Sequence, residues 1–134
     1  MRRVVAITLA LALCLLGCTG EVKLLTGGHG GCSIGGTAPM SIVGVLIVDR
    51  RAGTAIMVDP AMAREWGPEI AGSTLPVRWP PGFTARWLPN REVEVLSAGE
   101  VIVTTGRRVA LSTQFGGGID AGAYTACYGT ELPA

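Results

Sequence analysis

Histidine is almost missing from this 134-residue chain, where His29 stands alone. A Ser-His-Asp hydrolase needs its histidine on the folded scaffold beside the nucleophile, whereas His29 lies in a glycine-rich stretch near the amino end. Charged residues are also few, at 16%, and 11 basic against 10 acidic residues leave a net charge of only +1. A nucleic-acid binder would carry a basic stripe, so no nucleic-acid partner is expected. Aromatic residues make up only 5% of the chain, with three tryptophans, two tyrosines and two phenylalanines. These rings are the largest apolar side chains available, and core packing is their default fate.

A mean hydropathy of +0.44 with 49% hydrophobic residues suggests a membrane protein, but the apolar residues are unevenly spread. Thirteen of the first seventeen residues are apolar, and the remainder is about 45% apolar, an ordinary globular share. The one long uncharged run is Val4 to Leu16, 13 residues behind the positive Met1-Arg2-Arg3. As a helix it would rise about 20 Å, short of the ~30 Å hydrocarbon core of a bilayer. It reads as the apolar region of a signal peptide and not as a span. Removing it with Arg2 and Arg3 leaves 9 basic and 10 acidic residues, a net charge near −1.

The run ends in Leu15-Leu16-Gly17-Cys18, which resembles the lipobox of bacterial lipoprotein signal peptides at all four positions. The resemblance implies cleavage between Gly17 and Cys18, diacylglycerol on the Cys18 sulfur and often a third chain on the new amino terminus. Two or three acyl chains hold a protein stably on a membrane where one holds it marginally. Read from the residues alone, an ordinary secretory signal with an incidental or disulfide-bonded Cys18 stays open. The implied location is outside the cytoplasm, on the outer face of the cell membrane. In a cell with two membranes, Thr19 in place of Asp would favour the outer one.

With Cys14 leaving in the leader and Cys18 carrying lipid, Cys32 and Cys127 remain, and in an oxidising compartment they are expected to form a disulfide. The expected organisation is a signal peptide over 1–17, a lipid-anchored glycine-rich tether over 18–40 and one small β-domain over 41–134. The stretch TGEVKLLTGGHGGCSIGGTAP holds seven glycines, and residues 19–31 as a flexible coil would reach about 20 Å, lifting the domain off the bilayer. His29-Gly30-Gly31-Cys32 invites a metal reading, but zinc needs three or four ligands and no further histidine exists. No metal is expected.

The remaining sequence reads as short strands and turns. Ser41 to Asp49 is a β-branched apolar run, Asp49 and Gly53 supply a turn, and Thr54 to Val58 returns as a hairpin. Asp59 is a cap and Pro60 a first helical residue for a turn or two ending at Trp66. Further strands are expected over 75–79, 83–88, 91–96, 101–105 and 109–113. In Arg91 to Leu96, Val93 and Val95 alternate with Glu92 and Glu94, the period of a half-buried strand. Six or seven such strands predict an all-β fold, a small antiparallel sandwich or barrel. Residues 75–129, with VRWPPGFTAR, VEVL, VIVTTGRRV, a glycine triplet and a late cysteine, also resemble small exported domains that recur in lipoproteins of high-GC bacteria. The chain departs from them at Gly106-Arg107-Arg108, where they often carry Gly-Asp, and the resemblance implies no activity.

Candidate chemistry is sparse. Glu92 and Glu94 lie within the ~5 to 10 Å that separates glycosidase carboxylates, but a solvated strand face is the reading the pattern favours. The glycine clusters lack the Lys and Ser/Thr of a phosphate loop and the helix of a dinucleotide site, so no cofactor is expected. Arg78-Trp79 and Arg86-Trp87 flank Pro80-Pro81-Gly82. If the flanking strands pair, the tryptophans share one face, fit to stack on a sugar or peptide, and the arginines another, fit for an anion. The sequence therefore points to a non-enzymatic, lipid-anchored envelope protein that meets the membrane through acylated Cys18 and presents its β-domain to another envelope component. The alternative is a binding module for a cell-wall glycan or small anion.

Overall fold

The computed structural model describes residues 20–27, 40–113 and 119–133. Eleven strands occur among them: β1 (Glu21–Val22), β2 (Met40–Asp49), β3 (Gly53–Val58), β4 (Thr74–Arg78), β5 (Thr84–Trp87), β6 (Val93–Ser97), β7 (Glu100–Thr104), β8 (Arg108–Thr113), β9 (Ile119–Asp120), β10 (Ala123–Thr125) and β11 (Tyr128–Glu131). They form a four-stranded sheet in the order β1-β5-β6-β7 and a seven-stranded sheet in the order β11-β8-β2-β3-β4-β10-β9. The protein is an all-β sandwich. All seven strands expected from the sequence are present, and β1, β9, β10 and β11 add to them. The architecture is not purely antiparallel, because β10 runs parallel to β4 with Tyr124 opposite Val77.

The β2–β3 hairpin follows from its turn chemistry. The Asp49 carboxylate accepts the N–H groups of Arg51 and Ala52, and Gly53 takes φ 83°, a conformation that side chains disfavour. Gly44 is required for a different reason, since a Cβ there would meet the Met57 carbonyl oxygen at 2.1 Å. After β3, Asp59 caps a short 3₁₀ turn, Pro60–Met62, by accepting the Ala61 N–H. That turn runs into α1 (Ala63–Trp66), and Met62, Trp66 and Ile70 pack against the core.

The core lies between the sheets. Ile42, Leu46, Ile56, Val77 and Leu111 of the larger sheet face Ala85, Val93, Val95 and Val103 of the smaller one, all essentially without solvent exposure. Trp79 and Tyr124 are its largest members. Each has its polar atom satisfied: the Trp79 indole N–H donates to Thr54 Oγ1 at 2.9 Å, and the Tyr124 hydroxyl donates to the Leu111 carbonyl at 3.0 Å. Burial pushes the Tyr124 phenol well above its ordinary pKa, so it stays neutral and remains a donor.

The amino-terminal segment differs from the expected tether. Residues 20–27 run along the fold: β1 pairs with β5, Leu24 is buried, Leu25 exchanges backbone hydrogen bonds with Ala52 and Trp79, and Thr26 bridges Trp79. Glycines flank Glu21 to Thr26, but the segment itself carries Val22, Leu24 and Leu25, and burying them outweighs the freedom that the glycines bring. The folded unit therefore begins by Gly20, and of the proposed tether 18–40 only residues 28–39 and those before Gly20 lie outside the described residues. Among the described residues no helix is long and apolar enough to cross a membrane.

Candidate functional site

The four residues flanking Pro80-Pro81-Gly82 do not converge. β4 and β5 belong to different sheets, so the proline turn is a corner between layers and not a hairpin. Phe83 N–H closes it on the Pro80 carbonyl at 3.2 Å. Trp79 is fully buried and stacks on Phe83 with ring centroids 5.7 Å apart, which makes it a core residue. Arg78 is half-buried on β4, and Trp87 is half-buried on β5 against the core. Arg86 is exposed, and its guanidinium is held by the Glu94 carboxylate at 2.7 Å. No shared aromatic face and no pair of free arginines results.

Glu92 and Glu94 are similarly engaged by neighbours. Glu94 holds Arg86, while the Thr105 hydroxyl donates to Glu92 and accepts the Val93 N–H at 2.8 Å. Val93 and Val95 point inward as the alternation requires. Cys127 lies half-buried between β10 and β11, its N–H donated to the Ser112 carbonyl at 2.7 Å. Gly17, Cys18, His29 and Cys32 lie outside the described residues.

A groove that the sequence did not announce lies on the outer face of the larger sheet. It has a volume of about 440 Å³ and is lined by Gly44, Val45, Met57, Asp59, Thr74 and Arg108, among others. The cross-strand register sets Arg108, Val45, Met57 and Thr74 in one row. Across this row Asp59 accepts from Arg108 Nη2 at 3.2 Å. The bond from the Ala61 N–H, and then Arg108, hold the Asp59 carboxyl below its usual range. A carboxylate held charged is a poor general base near neutrality. The groove suits an apolar side chain against Met57, which is 47% exposed. No local pattern could have signalled it, because its ion pair joins residues 49 apart in sequence.

Among the described residues no cluster of three or more His, Cys, Asp or Glu side chains is placed to hold a metal. The fold and these surfaces define a small β-sandwich in which Asp49, Asp59, Glu92 and Glu94 each accept a bond from a neighbouring donor. Comparison of the chain with models of protein families, with curated proteins and with solved structures found no match in any of the three.

Proposed function

We propose that the chain is a lipid-anchored cell-envelope protein whose β-sandwich acts as a non-enzymatic structural or interaction module. The observation that carries this reading is Leu15-Leu16-Gly17-Cys18 behind a 13-residue uncharged run and two arginines. In this reading the protein is exported, loses residues 1–17 and is held on the membrane by acyl chains on Cys18. Cys32 is the bridging partner of Cys127. The module meets another envelope component through its surface, and the groove over Met57 is a place for an apolar contact. The arrangement of carboxylates supports a role without catalysis, since Asp59, Glu92 and Glu94 are each held by a neighbouring donor.

A glycan or small-anion receptor is the weaker reading. It drew on Trp79, now a core residue, and on Arg86, now balanced by Glu94. The anchor is tested by detergent phase separation of the expressed full-length chain. The wild type should enter the detergent phase and Cys18→Ser the aqueous phase. Equal partitioning of the two would overturn lipidation.

A further inference from the structure

We infer that the anchor leaves the domain almost no tether, and that the turn between β5 and β6 is held in the headgroup layer of the membrane. This rests on acylation of Cys18, and adds an orientation to it. Gly20 already belongs to the fold, its carbonyl accepting the Trp87 N–H at 3.0 Å. Only Thr19 separates it from Cys18. Two Cα steps span at most about 7.6 Å, against the ~20 Å of a free 13-residue coil. The lipid-bearing sulfur therefore cannot stand far from the end of β1.

The register says which part of the domain is at that end. Glu21 opposes Arg86 and Val22 opposes Ala85 in an antiparallel pair, so tracing the chain back from Glu21 leads toward Trp87 and the turn that follows it. That turn is closed by Leu88 N–H on the Glu92 carbonyl at 2.8 Å and by Arg91 N–H on the Leu88 carbonyl at 3.1 Å. Pro89, Asn90 and Arg91 are exposed at its tip, and Trp87 and Leu88 are half-buried at its base. The Ala98-Gly99 turn lies at the opposite end of β6, some 15 to 17 Å away at ~3.4 Å per residue.

The composition of the turn suits the interface. A tryptophan with an apolar ring and a polar N–H is enriched at headgroup depth, and an exposed arginine is drawn to anionic headgroups. Arg86 adds little, being paired with Glu94. Proximity carries the contact: a short link gives the turn a high effective concentration at the bilayer, and a long one would dilute it.

The test uses the mature acylated chain, processed from the full-length precursor, in vesicles of phosphatidylethanolamine and phosphatidylglycerol. Pro89→Cys and Glu100→Cys each supply one thiol for an environment-sensitive dye, both positions being exposed. The dye at 89 should be quenched several-fold less by aqueous iodide than the dye at 100, and more by a headgroup-linked quencher. Equal accessibility at the two positions, in chains that still enter the vesicles, would overturn the docked orientation while leaving the anchor intact. Failure of the chains to enter the vesicles would overturn the anchor, and the orientation with it. A glycine-serine insertion of about ten residues after Thr19, reaching about 17 Å, should raise the accessibility of position 89 toward that of 100. Unchanged shielding would overturn the short tether as the cause.

Discussion

Trp79 is the residue whose position decides most about this protein. Its ring fills the space between the sheets, its indole N–H needs Thr54 Oγ1, and its backbone N–H donates to the Leu25 carbonyl of the amino-terminal segment. A buried donor stripped of its acceptor costs about 1 to 3 kcal/mol. Thr54→Val keeps the shape of the side chain and removes the acceptor, so it should destabilise the domain by about that amount. Trp79→Phe should cost more, since it leaves both an unpaired hydroxyl and a cavity, with large-to-small core changes costing about 2 to 5 kcal/mol. The double variant should cost less than the sum of the two, because neither partner is then left unpaired. Urea unfolding of the four chains measures this, and strict additivity would mean that the buried hydrogen bond contributes nothing.

At the scale of elements, the strands with strong local patterns were legible and the short ones were not. β2 and β3 are long β-branched runs around an Asp and a Gly that build their own turn, and β6 alternates Val93 and Val95 with Glu94. β1, with only Glu21 and Val22, has no periodicity, and its partner Arg86–Ala85 lies more than sixty residues on. β10 and β11 are three and four residues long and depend on the distant β4 and β8, and the two-residue β9 forms only against β10. The Pro80-Pro81-Gly82 turn carried a hairpin signature, yet the burial of Trp79 places its two arms in different sheets. The site was illegible for the same reason: Arg86 is held by Glu94 from the neighbouring strand, and the groove's ion pair joins Asp59, legible only as a cap, to the distant Arg108. The reassignment of residues 20–27 is measurable. Leu24 is only 9% exposed and belongs to the core, so Leu24→Ala should cost about 2 kcal/mol or more. A tether leucine would cost essentially nothing. Urea midpoints of the two chains in the soluble Cys18→Ser background distinguish the cases, and coincident midpoints would return the segment to the tether.

For the whole molecule, the question is what keeps the last strands and the first ones together. β11 pairs only with β8 in the larger sheet, and Cys127 lies just before it. Tyr128 and Ser41 both oppose Ser112 from either side of β8, so Cys127 is about two strand spacings, ~10 Å, from the start of β2. Seven residues lie between Cys32 and Met40, and the eight extended steps could span up to about 26 Å, so the proposed Cys32–Cys127 bridge is within reach of the topology. It would close a loop of 95 residues, worth about 4 to 5 kcal/mol in the chain-entropy treatment and less where native geometry is strained. A domain of this size has a net stability of only ~5 to 15 kcal/mol, so reduction should shift the urea midpoint far to the left. The mature protein should show no alkylatable thiol before reduction and two afterwards by intact mass. Two thiols accessible without reductant would remove the bridge. A confirmed bridge whose reduction left the midpoint in place would mean that the sheets alone, through β8 and its neighbours, hold the ends of the chain together.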